Sequence, residues 1–367
     1  MVKAALKVIG RPIWKRMQFR INAAIDKRVE NDRAEVVQLR QLASDLKKEI
    51  DSLQIEKNQI VLHADLDQRI AEMVRNVDLD KRIADMIGQR IFVPPHAPAD
   101  TGIPFMRNST CSVSDLMHPK YEEICRRIKF PPHFHRKLWE WVFVIHHLEQ
   151  QGMLTAGKRG LCFGVGQERL PALFASYGCD IIATDAPPEI GVANGWAETG
   201  QHSNALEELR CGEIIDDAEF DRRVSHQFCD MTAIRDDLTG FDFTWSSCCF
   251  EHLGDLEAGI QFVINSVEKT LKPGGVAVHT TEYNLLSNDE TLTSGPTVIY
   301  RKRDIEDLAS RLRARGHDVQ PIIIAPNDYP LDFHVDAPPY IGNPHLKLRL
   351  AEHTATSIGL VIRRSMN

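Results

Sequence analysis

The stretch GLCFGVGQERLPALFASYGCDIIATDAP, residues 160–187, decides the fold. An apolar strand pattern over residues 161–163 runs into Gly164-Val165-Gly166. A helix pattern follows on Leu170, Leu173, Phe174 and Tyr177, and a second strand pattern over 181–184 ends in Asp185. Glycines at a strand-to-helix turn let a ligand approach the backbone, because no Cβ stands in the way. An acid closing the next strand, about 20 residues on, is placed to accept hydrogen bonds from a ribose. The third glycine of the dinucleotide pattern is absent: Gln167, Glu168 and Arg169 follow Gly166. Their charge falls where a pyrophosphate would need bare backbone. The stretch therefore favours a cofactor with a nucleoside and no phosphates.

Outward from that stretch, strand and helix patterns alternate. Strands are expected near 161–163, 181–184, 225–229, 241–246, 275–281, 319–324 and 357–363, with helices at 121–128, 135–151, 253–271 and 303–315. This alternation predicts the α/β class: a Rossmann-like, mostly parallel seven-stranded sheet with helices on both faces. Ligands in such sheets bind beyond the carboxyl ends of the strands. Residues 118–367 are assigned to this domain, with a polar, Pro-rich substrate loop at 326–357. Pro94, Pro95, Pro98, Gly102 and Pro104 mark a linker over 93–117.

The N-terminal region reads differently. Residues 1–28 carry eight Lys/Arg against one acid, Asp26, so they hold +7 of a net charge of -7 and leave -14 for the remainder. Cations interleaved with Leu6, Ile9, Trp14, Phe19 and Ile21 make residues 1–30 a candidate for contact with an anionic membrane surface. From Val36 through Leu39, Ala43, Leu46, Ile50 and Leu53 to Ile60, apolar residues step by three and four, interrupted at Lys57. DLDQRIAEMV at 65–74 recurs as DLDKRIADMI at 78–87. Residues 31–92 are thus expected to form an N-terminal helical coiled-coil stalk and a homo-oligomer. The acidic remainder argues against nucleic acid as a partner. With no run of about 20 apolar residues and no signal-peptide pattern, the expected location is cytoplasmic, peripheral to the inner membrane face. Eight scattered cysteines without a CxxC pair suit reduced thiols. His133, His135, His146 and His147 match no standard ligand spacing, so no metal is expected.

Three further pieces fall at strand ends. FCDMTAI puts Asp230 and Met231 just beyond a strand, where a carboxylate could accept an adenine amino proton. FDFTWSSCCFEHLGD puts Ser246, Ser247, Glu251 and His252 at the turn after another, and LKPGGVAVHTTEYN turns a helix into a central strand. In order and spacing, residues 158–281 resemble the class I, Rossmann-like S-adenosylmethionine-dependent methyltransferases. Residues 120–364 resemble them more loosely. The resemblance implies S-adenosyl-L-methionine as cofactor. It implies Phe163, Gly164, Val165 and Gly166 at the methionyl part, Asp185 and Ala186 at the ribose, Asp230 and Met231 at the adenine, and Ser246 and Ser247 at the sulfonium end. Family members commonly carry an acid two residues before the first glycine, which here is Cys162.

His252 is the candidate general base, with Glu251 to orient it or act instead. Glu282, Tyr283, His334 and Asp336 are candidate acceptor contacts, and Arg136 is a candidate partner of the cofactor carboxylate. The helix RKLWEWVFVIHHLEQQG looks like that of bacterial relatives in surface-polysaccharide assembly. With the basic segment and stalk, it points to O-methylation of a sugar hydroxyl in a surface polysaccharide or its lipid-linked precursor, as a cap on chain growth. The alternatives are a small-molecule O- or N-methyltransferase, and a coiled-coil scaffold with a vestigial methyltransferase domain.

Overall fold

The computed structural model describes residues 37–38, 41–42, 44–48, 96–100, 102–188, 203 and 205–367. The chain divides into two units, Met1–Asp78 and Leu79–Asn367. In the first, the described residues are helical and exposed, Leu46 among them, and Gln41 donates to the Asp45 carboxylate one turn on (3.1 Å). The basic segment 1–30 and most of the expected stalk 31–92 lie outside the described residues.

The second unit is built on one sheet. Helices α1 (Val113–Met117), α2 (Pro119–Arg127) and α3 (Arg136–Gln150) precede it. Each has a side chain at its entry: Ser112, His118 and His135 accept from backbone N–H groups of the first turn, which would otherwise lack partners. Then come β1 (Arg159–Phe163), α4 (Leu170–Ser176), β2 (Asp180–Asp185), α5 (Asp217–Arg223), β3 (Val224–Phe228) and β4 (Phe241–Ser247). The chain continues through α6 (Leu256–Asn265), β5 (Leu271–Asn284), α7 (Lys302–Ala314), β6 (Asp318–Val319) and β7 (His353–Arg363). The strand order is β3-β2-β1-β4-β5-β7-β6, with β7 antiparallel to both neighbours. An eighth strand, Lys347–Leu350, pairs with β7, so the sheet has one strand more than the sequence pattern predicts. The order reverses beside β1, which puts the switch point at the Gly164–Gly166 turn.

Strand alternation sends side chains to two cores. Cys162, Phe243, Trp245, Val276 and Val278 pack with Trp139, Phe143 and Phe174 on one face. Leu161, Phe163, Ala277, Leu360 and Ile362 pack with α6 and α7 on the other. Helix α3 presses so closely on β7 that a Cβ at Gly359 would lie 2.2 Å from the Phe143 ring.

Three expectations are corrected. The strand expected at 319–324 is only Asp318–Val319, because Pro321 has no N–H for a ladder. Ile323 instead exchanges hydrogen bonds with Ser109: its N–H reaches Ser109 Oγ (3.0 Å), and Ser109 N–H reaches its carbonyl (2.7 Å). The stretch expected to be linker is part of the folded body from Met106 onward, with Met106, Val113 and Leu116 in the core. The expected loop 326–357 gives way to strand from Lys347. Its middle is tied to the start of α3 by Arg136 N–H to the His345 carbonyl (2.9 Å) and His345 N–H to the Phe134 carbonyl (2.7 Å). No described helix is long and apolar enough to cross a membrane.

Overpacking a tight core contact typically costs about 1–3 kcal/mol. Gly359→Ala should therefore lower unfolding stability by about that amount, read as a lower urea midpoint at unchanged m-value.

Candidate functional site

A cavity of about 800 Å³ opens at the carboxyl ends of β1, β2 and β4. Its floor is the glycine turn. Gly164 and Gly166 take φ values of +60° and +50°, in the left-handed region that glycine enters without penalty. A Cβ on Gly164 would come within 2.9 Å of Cys249. Asp185 closes β2 beside that turn, and its carboxylate accepts from the N–H groups of Gly166 (2.9 Å), Ala186 (2.8 Å) and Ser203 (3.0 Å). Asp230 and Met231 line the same end. One Asp230 oxygen also caps the short 3-10 turn Met231–Ala233 through Thr232 N–H (2.8 Å) and hydroxyl (2.7 Å).

Glu168 stands on the cavity wall, 6% exposed, and accepts from the Trp245 indole N–H (3.2 Å). Burial pushes its carboxyl up to about 7, against the opposing pull of the hydrogen bond from Trp245. Cys162, where an acid was expected, is buried in the core and lines nothing. A carboxyl enters the cavity lining six residues later, at Glu168.

Of the sequence-derived residues, the cavity brings together Gly164, Val165, Gly166, Asp185, Ala186, Asp230, Met231, Ser247 and His252. His252 sits at the rim with Nδ1 2.8 Å from the Pro296 carbonyl and 3.1 Å from Thr297 Oγ1. A carbonyl can only accept, so in the neutral ring Nδ1 carries the proton and Nε2 the lone pair.

The others lie elsewhere, each for a stated reason. Phe163 and Ser246 are one residue away from cavity positions, and strand alternation turns their side chains into the sheet. Phe163 packs edge-on against Phe262 (5.1 Å). Ser246 bonds His279 Nδ1 (2.7 Å), whose Nε2 meets Ser266 (3.0 Å). Burial lowers His279 to about 3, so it is neutral there. Glu282 and Tyr283 were expected beyond a strand end, but β5 stays paired with β7 as far as Asn284 and Ala355. Glu282 is therefore an interior ion-pair partner, and Tyr283 belongs to the core. Glu251 accepts from the Thr281 hydroxyl (3.0 Å) beneath the cavity. Asp336 is consumed by its own loop, accepting from Ile341 N–H (3.0 Å), Gly342 N–H (3.0 Å) and His345 (2.7 Å). His334 lies in that loop, outside the cavity lining.

Arg136 is likewise not a cavity residue. Its guanidinium is buried and pairs with Glu140 (3.2 Å) and Glu282, and donates to Ser357 (3.0 Å). Burial alone would raise Glu140, but Lys137 and Arg136 together hold it below the usual carboxylate range. Lys137, one position on, turns to the cavity and still reaches Glu140 (3.3 Å). Trp141 follows one turn later on the same face. Neither was anticipated, although the spacing of Lys137 and Trp141 beside Arg136 and Glu140 was readable as two adjacent faces of one helix.

Among the described residues, Cys248, Glu251 and Glu282 bring ligand-type atoms within 4.8 Å of one another. Arg136 already supplies a cation there: it pairs with Glu282 and lies 3.6 Å from the Cys248 sulfur. Cys248 takes a φ of +47°, rare for a residue with a side chain. That turn points its thiol inward to Glu140 (3.1 Å), while Cys249 turns to the Phe163 carbonyl (3.4 Å).

No family model matches the chain, and neither does any curated protein. Solved structures similar to it include a putative sarcosine dimethylglycine methyltransferase from Galdieria sulphuraria. It is 15% identical, with 62% of this chain and 86% of that one covered, at a TM-score of 0.34. An S-adenosylmethionine-dependent methyltransferase from Mesorhizobium loti is 13% identical, covering 60% and 96%, at 0.35. Phosphoethanolamine N-methyltransferase 2 from Haemonchus contortus is 18% identical, covering 48% of this chain but 37% of that one, at 0.32.

Two substitutions probe the buried contacts outside the cavity lining. Ser246→Ala strands a buried imidazole nitrogen and should cost about 1–3 kcal/mol of stability. Glu140→Ala leaves the buried Arg136 guanidinium short of a partner and should cost about 3–5 kcal/mol. Chemical denaturation measures both, and the second loss should be the larger.

Proposed function

We propose that this protein is an S-adenosylmethionine-dependent O-methyltransferase whose acceptor is a hydroxyl of a saccharide in a surface polysaccharide or its lipid-linked precursor. The observation that carries the cofactor reading is an acid-walled cavity on a glycine cradle. Asp185 lies where ribose hydroxyls would be held, and Glu168 lies where a diphosphate would need bare backbone. A buried carboxylate repels phosphate and attracts a cation. A nucleoside carrying a sulfonium and an ammonium group suits that wall, and the cradle has no Cβ to obstruct it.

When bound, S-adenosylmethionine supplies a methyl group on a positively charged sulfur, open to in-line displacement. The chain's part is chiefly positioning, which can contribute about 7–11 kcal/mol. Asp185, Asp230 and Met231 would hold the nucleoside, and Glu168 and Lys137 the amino-acid end. His252 Nε2 would take the acceptor's hydroxyl proton, its tautomer set by Pro296. A positioned base of this kind adds about 10²–10⁴-fold in rate. The saccharide part of the proposal draws on the sequence of the basic segment 1–30 and of the repeat-bearing residues 31–92, which would suit an oligomer held at the cytoplasmic face of a membrane near lipid-linked glycan.

Asp185→Ala should weaken S-adenosylmethionine binding at least about tenfold, the equivalent of one lost charge-assisted hydrogen bond. Isothermal titration calorimetry measures this. No binding by the unaltered protein would leave the scaffold alternative standing, and transfer to small phenols or amines but not to glycans would leave the small-molecule one. Glu168 is protonated below about 7 and charged above it. A cationic ligand prefers the charged form, so affinity should rise as pH rises through about 7 and level off above. Glu168→Gln should flatten that profile.

A further inference from the structure

We propose that Phe130 and Trp141 form the platform on which a pyranose ring of the acceptor lies, so that the protein selects a saccharide by its apolar C–H face. This rests on the methyl-transfer reading and deepens it.

The cavity is chemically divided. Asp185, Asp230 and Met231 lie beyond β2 and β3, whereas Trp141, with Phe130 against it, stands on α3, which packs on β4, β5 and β7. A nucleoside's polar groups find their partners at the acidic end. Two large aromatic side chains left partly exposed inside a cavity need another occupant. About 800 Å³ is in the upper part of the range for ligand sites, with space for more than one molecule.

The wall is held in place. The two rings meet edge to face, with centroids 5.7 Å apart and planes at 84°, an arrangement aromatic pairs favour. The Arg169 guanidinium lies 5.4 Å from the Phe130 ring centre. It also donates to the carbonyls of Ile128 (3.3 Å) and Lys129 (2.6 Å), which fixes the chain just before Phe130. Trp141 stands on α3, whose inner face is anchored by Arg136 and Glu140.

A sugar ring is apolar on its C–H faces and ringed by hydroxyls at its edge. The wall matches both parts. Its rings meet the C–H face, while the Gln167 amide fringes it with a donor and an acceptor for hydroxyls. A flat phenol would use the rings but bring fewer hydroxyls to the fringe.

The test uses saturation-transfer NMR of methyl glycosides of glucose, galactose, mannose and rhamnose, with catechol alongside, on the full chain with S-adenosylhomocysteine. The cofactor product's affinity is measured separately by calorimetry. For at least one glycoside, saturation should concentrate on the ring C–H protons of one face. Trp141→Ala should weaken that glycoside's binding at least about threefold, Trp141→Phe should largely restore it, and neither should change S-adenosylhomocysteine affinity. The inference is overturned if the cofactor product binds and no glycoside does, if catechol binds in preference, or if Trp141→Ala weakens the cofactor product instead. If S-adenosylhomocysteine fails to bind the unaltered protein, it is the methyl-transfer reading that falls.

Discussion

The buried guanidinium of Arg136 joins the parts that the site depends on. Between Glu140 on its own helix and Glu282 on β5, with Ser357 of β7 as a third partner, it ties α3 to two strands at once. Charges this deep carry a desolvation penalty of several kcal/mol each, and the pairing offsets it only while every partner stays in place. The result is a single rotation of α3 about its axis. With residues 136 and 140 locked inward, residues 137 and 141 face the cavity. A slip of one residue would put an unpaired charge in the core, a cost no surface contact could offset.

The sheet supplies the rest of the geometry. Reversal of strand order beside β1 opens a crevice at the glycine turn, and the carboxyl ends of β1, β2 and β4 deliver Gly164, Asp185 and Ser247 into it. The wall carries a carboxyl on Glu168, after the glycines, while Cys162 before them is buried in the core. That choice has an electrostatic cost, visible in a carboxyl that ionises only near neutral pH. An enclosed acid of this kind favours a cationic ligand over an anionic one once it is ionised.

Much of this architecture was legible in the chain. Residues 160–187 announce strand, turn, helix and strand in order, and the acid at Asp185 and the turn after β4 both fall in the cavity. One cause of the misses is side-chain direction within a strand. Ser246 and Ser247 look equivalent in sequence, yet the pleat sends one to His279 and the other to the cavity. Glu282 was expected at a free strand end because nothing local reveals that β7 pairs with β5 so far along. Partners more than 70 residues away decide that. Lys137 and Trp141 went unnoticed because a helix before the first strand is ordinarily scaffolding.

The two main-chain hydrogen bonds between His345 and the Phe134–Arg136 stretch couple parts that the cavity keeps apart. The loop that contains Asp336 is mounted on the same short run of backbone from which α3 departs. Displacing the loop would pull on the root of the helix that bears Trp141, with Arg136 as the fulcrum. Distant changes in that loop can therefore retune the cavity without touching it, so sequence drift there is a mechanical as well as a chemical matter.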